Sequence, residues 1–256
     1  MKKKKKDGKM LNIASISKHF NGIQAVKEVT FNIKQGTIAS LIGPNGAGKT
    51  TLFNIICGYV EPDNGAAEFK GTKLNGRAPH ERALAGIGRT FQNMRLIKRV
   101  SVFENPMLAF INHKGDSFIK NMAQSISRKH ENRNKDKAYE LLDFVGLKDK
   151  AHEPAGSLSY GQQKLLSLAC CLGLDAKLLL LDEPVAGVNQ ETISKILLLL
   201  RRLKDSGVTV FLIEHNLDAV MEISDRLIVM DEGRIIADGI PSEVKERPEV
   251  IEAYIS

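Results

Sequence analysis

The chain has 256 residues and a formal net charge of +7, with 43% apolar and 26% charged residues. That length suits one large domain, or one domain carrying an inserted lobe, with a core that needs neither disulfide nor metal support. Residues 1–10 hold six lysines against one aspartate, so the rest is close to neutral and has no broad basic footprint for nucleic acid.

We expect a solvated, disordered basic tail over 1–10 and a single folded domain over 11–256. The lysines are not followed by an apolar run, which argues against a signal peptide. The longest apolar run, Leu165–Leu174, falls short of the roughly 18 residues of a spanning helix, so any membrane role must pass through a partner. Cys57, Cys170 and Cys171 sit in apolar, helix-like text without CxxC spacing, and read as buried thiols in a reducing compartment.

Taken in chain order, Leu11–Phe20 and Val26–Ile33 show partial alternation, with Val29, Phe31 and Ile33 on one face of a strand. Thr37–Ile42 is a short apolar strand. It is broken at Gly43–Gly48, and Lys49–Cys57 reads as a helix. Ala66–Lys70 and Leu74-Asn75-Gly76 look like a hairpin piece with a turn. Ser101–Val145 is mostly helical, interrupted at Pro106 and Gly115, and Leu165–Leu174 is a second helix. Leu178–Leu181 is a buried strand. Gln190–Asp205 is a helix with Ile193, Ile196, Leu197 and Leu200 on its apolar face. Val208–Ile213, Leu227–Met230 and Arg234–Ala237 are strands, the last entered by a turn at Gly233. The ends are strand-rich and the middle helix-rich. The expected fold is α/β: a nucleotide-binding core, an antiparallel β subdomain near the N-terminus and a helical subdomain inserted at about 93–160.

Gly43-Pro44-Asn45-Gly46-Ala47-Gly48-Lys49-Thr50 fits GxxxxGK[ST], with a strand before it and a helix after it. Such a loop turns successive backbone N–H groups inward around phosphate, and the helix behind it points its positive end at the same anion. Lys49 can reach the β- and γ-phosphates, Thr50 offers a hydroxyl to Mg²⁺, and Thr51 adds a phosphate contact. About 130 residues on, the apolar strand Leu178–Leu181 ends in Asp182-Glu183-Pro184. Asp182 suits the Mg²⁺ shell of a phosphate-loop site. Glu183 can accept a proton from an attacking water.

Leu158-Ser159-Tyr160-Gly161-Gln162-Gln163 resembles the LSGGQ signature of ABC ATPases, with tyrosine for the first glycine. The resemblance runs from residue 11 to the end, and implies a P-loop NTPase core with the two subdomains described. Gln92 resembles the family's Q-loop glutamine and His215 its switch histidine. Phe20 stands where the family stacks an aromatic ring on adenine, with Val26 packing on the base as well. The resemblance implies ATP and Mg²⁺ as ligands and a head-to-tail dimer of two ATPase subunits. Each ATP then lies on one subunit's phosphate loop and faces Ser159, Gly161 and Gln162 of the other. Gln92 contacts Mg²⁺ and the water, and His215 the γ-phosphate. Asn189 closes the segment in the place of the family's D-loop, where aspartate is common. An amide there can hydrogen-bond across the dimer without charge.

Gly88–Asn93, the LSYGQQ signature and Pro248–Tyr254 resemble the ATPases of branched-chain amino-acid importers. Urea-type and lipopolysaccharide-export ATPases are close relatives. Partners implied are a second ATPase, two permeases and, indirectly, an external binding protein, with the chain peripheral on the cytoplasmic face of the membrane. A soluble ABC ATPase of DNA repair or translation is disfavoured by the single module and by the spacing of about 110 residues between Lys49 and Ser159. Glu183 and His215 argue against a non-hydrolysing regulatory subunit. Glu104-Asn105-Pro106 lacks the apolar residue that the family pattern leads one to expect after Asn105, which leaves the local helix start open.

Overall fold

The structure, a computed structural model, describes residues 8–90, 96–111 and 124–255. In chain order its strands are β1 (Lys9–Phe20), β2 (Ile23–Lys34), β3 (Ile38–Ile42), β4 (Asn64–Phe69), β5 (Thr72–Lys73), β6 (Ile87–Arg89), β7 (Leu178–Asp182), β8 (Thr209–Ile213), β9 (Arg226–Asp231) and β10 (Arg234–Gly239). The helices are α1 (Lys49–Cys57), α2 (Pro79–Leu84), α3 (Glu104–Ile111), α4 (Gln124–Phe144), α5 (Tyr160–Gly173), α6 (Gln190–Asp205), α7 (Leu217–Ile223), α8 (Pro241–Val244) and α9 (Pro248–Ile255).

Two sheets result. One is antiparallel, in the order β2-β1-β4-β5, and the other has six strands in the order β10-β9-β3-β8-β7-β6. In the second, β9, β3, β8, β7 and β6 run parallel and β10 closes the edge antiparallel. Every residue of β3, β7 and β8 is buried. The leucine run of β7 shows why: Leu178 and Leu180 join a core with β1, β2 and α1, while Leu179 and Leu181 join one with α5 and α6. A strand covered on both faces needs apolar residues at both parities, so alternation disappears. In the first core Phe211 stacks at 5.0 Å on Phe53 and 5.5 Å on Phe31. Buried Arg82 donates from Nη1 to the Ile55 and Ile56 carbonyls at 2.5 and 3.2 Å and so caps the end of α1.

Several expectations are corrected. The tail does not extend to residue 10, because β1 begins at Lys9 and Met10 is 1% exposed. Met10 is an apolar residue paid for by core packing, not by the lysines before it. β2 begins at Ile23, since Asn21 and Gly22 both take positive φ (45° and 87°) and close a two-residue hairpin. The helix expected from Leu165 begins at Tyr160. Ser159 caps it, and its polar first turn carries no apolar period to read. β6, α2, α7, α8 and α9 are too short to stand out as periodic segments. α3 starts at Glu104, and Pro106 falls in its first turn, where a missing N–H costs nothing. Buried Asn105 fixes this helix start by accepting from Ile97 N and donating to the Ile97 and Ser101 carbonyls. The interruption expected at Gly115 lies outside the described residues. Cys57 and Cys171 are buried and Cys170 partly so, all three as free thiols. Burial pushes the Cys57 thiol up to about 11 and the Cys171 thiol up to about 12.

Candidate functional site

The loops after β3, β7 and β8 leave the sheet at the same carboxyl edge, as the register Asp182↔Ile213 and Leu41↔Ile213 requires. In an open α/β sheet this edge is where ligands bind. The loop after β3 is the phosphate-loop segment, Gly43–Lys49. Its glycines have distinct reasons. A Cβ on Gly43 (φ 147°) would lie 1.9 Å from the Met230 carbonyl oxygen, and one on Gly48 (φ 97°) 2.2 Å from that of Ala25. Gly46 meets nothing within 4 Å, so only its φ of 87° demands glycine. Gly48 caps α1 without a side chain, which leaves the helix N-terminus to backbone N–H groups. Thr50 is exposed and Thr51 half-buried at that end.

Lys49, 5% exposed, donates from Nζ to the Gly43 and Pro44 carbonyls at 2.7 and 2.8 Å. Burial lowers its pKa, and the charges of Glu183 and Asp182 oppose that shift. The ammonium therefore folds back onto the carbonyls of its own loop.

Asp182 ends β7. Burial raises its pKa, and Arg89 opposes: the guanidinium Nη2 lies 3.4 Å from Oδ2 and Nη1 donates to Asn54 Oδ1 at 2.7 Å. Arg89 thus ties the carboxylate to α1. Glu183 follows with φ 51°, a left-handed backbone rare outside glycine. Its N–H donates to the Ile213 carbonyl at 2.9 Å, and its Oε1 lies 3.2 Å from His215 Nε2. The loop after β8 supplies that histidine. The carboxylate of Glu214, 2% exposed, accepts from Val185 N at 2.8 Å, His215 N at 3.0 Å and Asn216 N at 3.3 Å. Glu214 therefore holds the two loops together.

Phe20 is 43% exposed at the end of β1, paired with Ile23. Ala25, two residues on, packs its carbonyl against Gly48, so the strand that follows this hairpin borders the phosphate loop. Val26 is a correction: it is 0% exposed inside the core and presents no surface to a base. Gln92 lies outside the described residues. Ser159 Oγ accepts from Gln162 N at 3.3 Å while Gln162 Oε1 accepts from Ser159 N at 3.0 Å, a capping box at the exposed start of α5. A Cβ on Gly161 would lie 2.8 Å from Thr192 Cγ2 at the start of α6. These contacts of Ser159 and Gly161 stay on α5 and α6 and do not run to the phosphate loop of the same chain. Asn189, in the D-loop segment, caps α6, with Oδ1 accepting from Thr192 N at 2.9 Å. Arg89 and Glu214 were missed from sequence. Their signal was a lone charge in a buried strand end, legible only with a partner in view.

A phosphate cradle, a buried carboxylate and a glutamate–histidine pair on one edge of a parallel sheet define a phosphate-loop nucleotide hydrolase. The family model described as ABC transporter matches residues 26–186. The high-affinity branched-chain amino acid transport ATP-binding protein BraF of Pseudomonas aeruginosa is 36% identical, over 96% of this chain and 97% of its own length. Among solved structures, a nucleotide-free ATP-binding cassette from an ABC transporter superposes with a TM-score of 0.86 at 34% identity, covering 97% of this chain and 99% of its own. A dimeric post-hydrolysis ATP-binding cassette bound to ADP and Pi gives 0.77 at 26% identity, covering 91% and 99%. The chain belongs to the ABC transporter family, of whose ATP-hydrolysing subunits it is one.

Proposed function

We propose that this subunit hydrolyses ATP to drive import of branched-chain amino acids through two permease subunits, fed by an external binding protein. It works as one of two ATPase subunits on the cytoplasmic face of the membrane. Among the described residues no helix is long and apolar enough to cross a membrane, which fits a peripheral place in such a complex. The observation that carries the hydrolytic reading is the 3.2 Å approach of His215 Nε2 to Glu183 Oε1 beside the phosphate loop.

The loop Gly43–Thr50 binds the phosphates, with Lys49 exchanging its loop carbonyls for phosphate oxygens and Thr51 adding a contact. Phe20 stacks on adenine. Glu183 takes the proton of a water whose oxygen bonds to the γ-phosphorus while the bond to the β-phosphate oxygen breaks, leaving ADP and phosphate. His215 orients Glu183 and donates to the γ-phosphate; Gln92 is the residue proposed to meet the water. Among the described residues no cluster of three or more His, Cys, Asp or Glu could hold a metal by itself. This fits Mg²⁺, which takes one or two protein oxygens and completes its shell from phosphate and water. Thr50 and Asp182 would hold it, with Gln92, and it would neutralise phosphate charge. Ser159, Gly161 and Gln162 at the start of α5 face the ATP of the second subunit, where a helix N-terminus suits phosphate. The inserted subdomain, which we place at about 93–160, includes α3 and α4 and leads into this surface at the start of α5.

Glu183→Gln keeps the shape and removes the proton acceptor. It should bind ATP with unchanged affinity, lose turnover and accumulate an ATP-bound dimer on size exclusion. Near-normal hydrolysis would place the base elsewhere. In vesicles with the permeases, leucine-, isoleucine- or valine-loaded binding protein should stimulate the ATPase. Stimulation by urea instead would overturn the substrate and keep the transporter.

A further inference from the structure

Lys164 lies on α5, five residues after the Ser159 cap. Its ammonium does not run to solvent. Nζ donates to the backbone carbonyl of Glu183 at 2.5 Å. That carbonyl belongs to a residue in the left-handed region, φ 51°, a conformation that is strained for a non-glycine residue and persists only where neighbours hold it. The neighbours are visible. Glu183 N is bound to Ile213 O at 2.9 Å, and Ala186 N reaches Glu183 O at 3.3 Å. Val185 N is bound to Glu214 at 2.8 Å. Lys164 is the one side chain among these that comes from the signature helix.

Tyr160, one helical turn before Lys164, faces the same loop. A Cβ on Gly187 would lie 3.3 Å from its ring, and Lys164 Nζ lies 5.4 Å from the ring centroid. Beneath runs a cavity of about 260 Å³ lined by Lys164, Glu183 and Gly187 and floored by Leu168, Ile196 and Leu200. From that side the ammonium donates to the turn.

We propose that Lys164 is a positioning residue for hydrolysis: its hydrogen bond to the Glu183 carbonyl ties the signature helix to the turn that aims the Glu183 carboxylate at His215. This rests on the reading above, in which the start of α5 meets the ATP of the second subunit. Glu183 serves the ATP of its own subunit, so the bond links the two ATP sites through a single chain. When α5 shifts as the far ATP binds or leaves, the carbonyl it holds shifts with it, and the left-handed turn is stabilised or released.

The test compares Lys164→Met, which keeps length and apolar contact but no donor, with Lys164→Arg, which keeps a charged donor. The complete subunit is assayed for kcat, KM and Hill coefficient in ATP, with nucleotide affinity by calorimetry and melting temperature alongside. Lys164→Met should keep affinity within about twofold, lose about tenfold or more in kcat and bring the Hill coefficient toward one. Lys164→Arg should restore most of both. Wild-type kcat and Hill coefficient in a folded Lys164→Met chain would overturn the proposal, as would an arginine variant no better than methionine. If Lys164→Met fails to fold, Lys164→Leu, which also lacks a donor, carries the same readouts. A leucine chain that folds and turns over cooperatively at the wild-type rate overturns the proposal equally. Glu183→Gln separates the two readings. Surviving hydrolysis there removes the base assignment, whereas an inactive Glu183→Gln beside an unaffected Lys164→Met removes only the tie.

Discussion

Glu214→Gln probes the junction of the loops that carry Glu183 and His215. The carboxylate is 2% exposed and accepts three backbone N–H groups, Val185 on one oxygen and His215 and Asn216 on the other. Glutamine has the same shape but one acceptor oxygen. Whichever way the amide turns, an NH₂ group faces backbone donors, and one or two charge-assisted bonds are lost. Each such bond is worth about 1.5–3 kcal/mol, and a buried donor left unpaired costs about 1–3 kcal/mol. Because the losses overlap at one residue, the expected destabilisation is about 2–4 kcal/mol. For a chain of this size that lowers the melting temperature by roughly 5–15 °C. Turnover should fall with it, since the turn that carries Glu183 and the strand end that carries His215 lose their common anchor. Scanning calorimetry reads the first effect and a coupled phosphate-release assay the second. A melting temperature within about 2 °C of wild type, with unchanged turnover, would refute the reasoning. It would mean that water reaches these N–H groups or that the loops hold without the carboxylate.

Gly43→Ala places a methyl 1.9 Å from the Met230 carbonyl and should weaken ATP binding by about tenfold or more, whereas Gly46→Ala meets open space and should lose less; equal affinities by calorimetry would deny the cradle geometry. Asp63 accepts from Lys18 Nζ and from His19 N, each at 2.7 Å, which lowers its pKa from 3.8 to about 2. A depressed folded pKa gives stability that is present above the unfolded value and lost as pH falls through the folded one. Asp63→Asn should therefore lower the melting temperature at neutral pH, with the gap closing between about pH 4 and pH 2; a gap unchanged at the acid end would contradict this. Deleting residues 2–7 should leave turnover and melting unchanged, but deletion through Leu11 removes two core side chains worth about 1.5–3 kcal/mol each and should destabilise the subunit sharply. Equal melting of the two truncations would show that Met10 and Leu11 do not hold β1.

Local chemistry was legible along the chain because it resides in contiguous residues. The phosphate loop needs its glycines, lysine and threonine in one stretch, with a strand before and a helix after. The carboxylate pair needs an apolar strand to deliver it. Those demands are met within a few residues, so Gly43–Thr50 and Leu178–Glu183 could be read without any contact in view. The buried strands β3, β7 and β8 were equally plain, as apolar runs too short for helices.

Other features depend on residues far apart in the chain, and only the tertiary structure decided them. Val26 and Phe20 look alike as candidates for a base, yet Val26 is sealed beneath the sheet and Phe20 stands open at a hairpin end. Asn189 read only as a polar residue in a loop, and the fold shows its Oδ1 capping the unpaired N–H groups at the start of α6. Arg89 gained meaning from Asp182, 93 residues away, and Glu214 from Val185, 29 residues away. A charge is affordable inside a fold only where a partner waits. Composition and periodicity carry no record of which distant atoms the packing of two sheet faces will bring within hydrogen-bond reach.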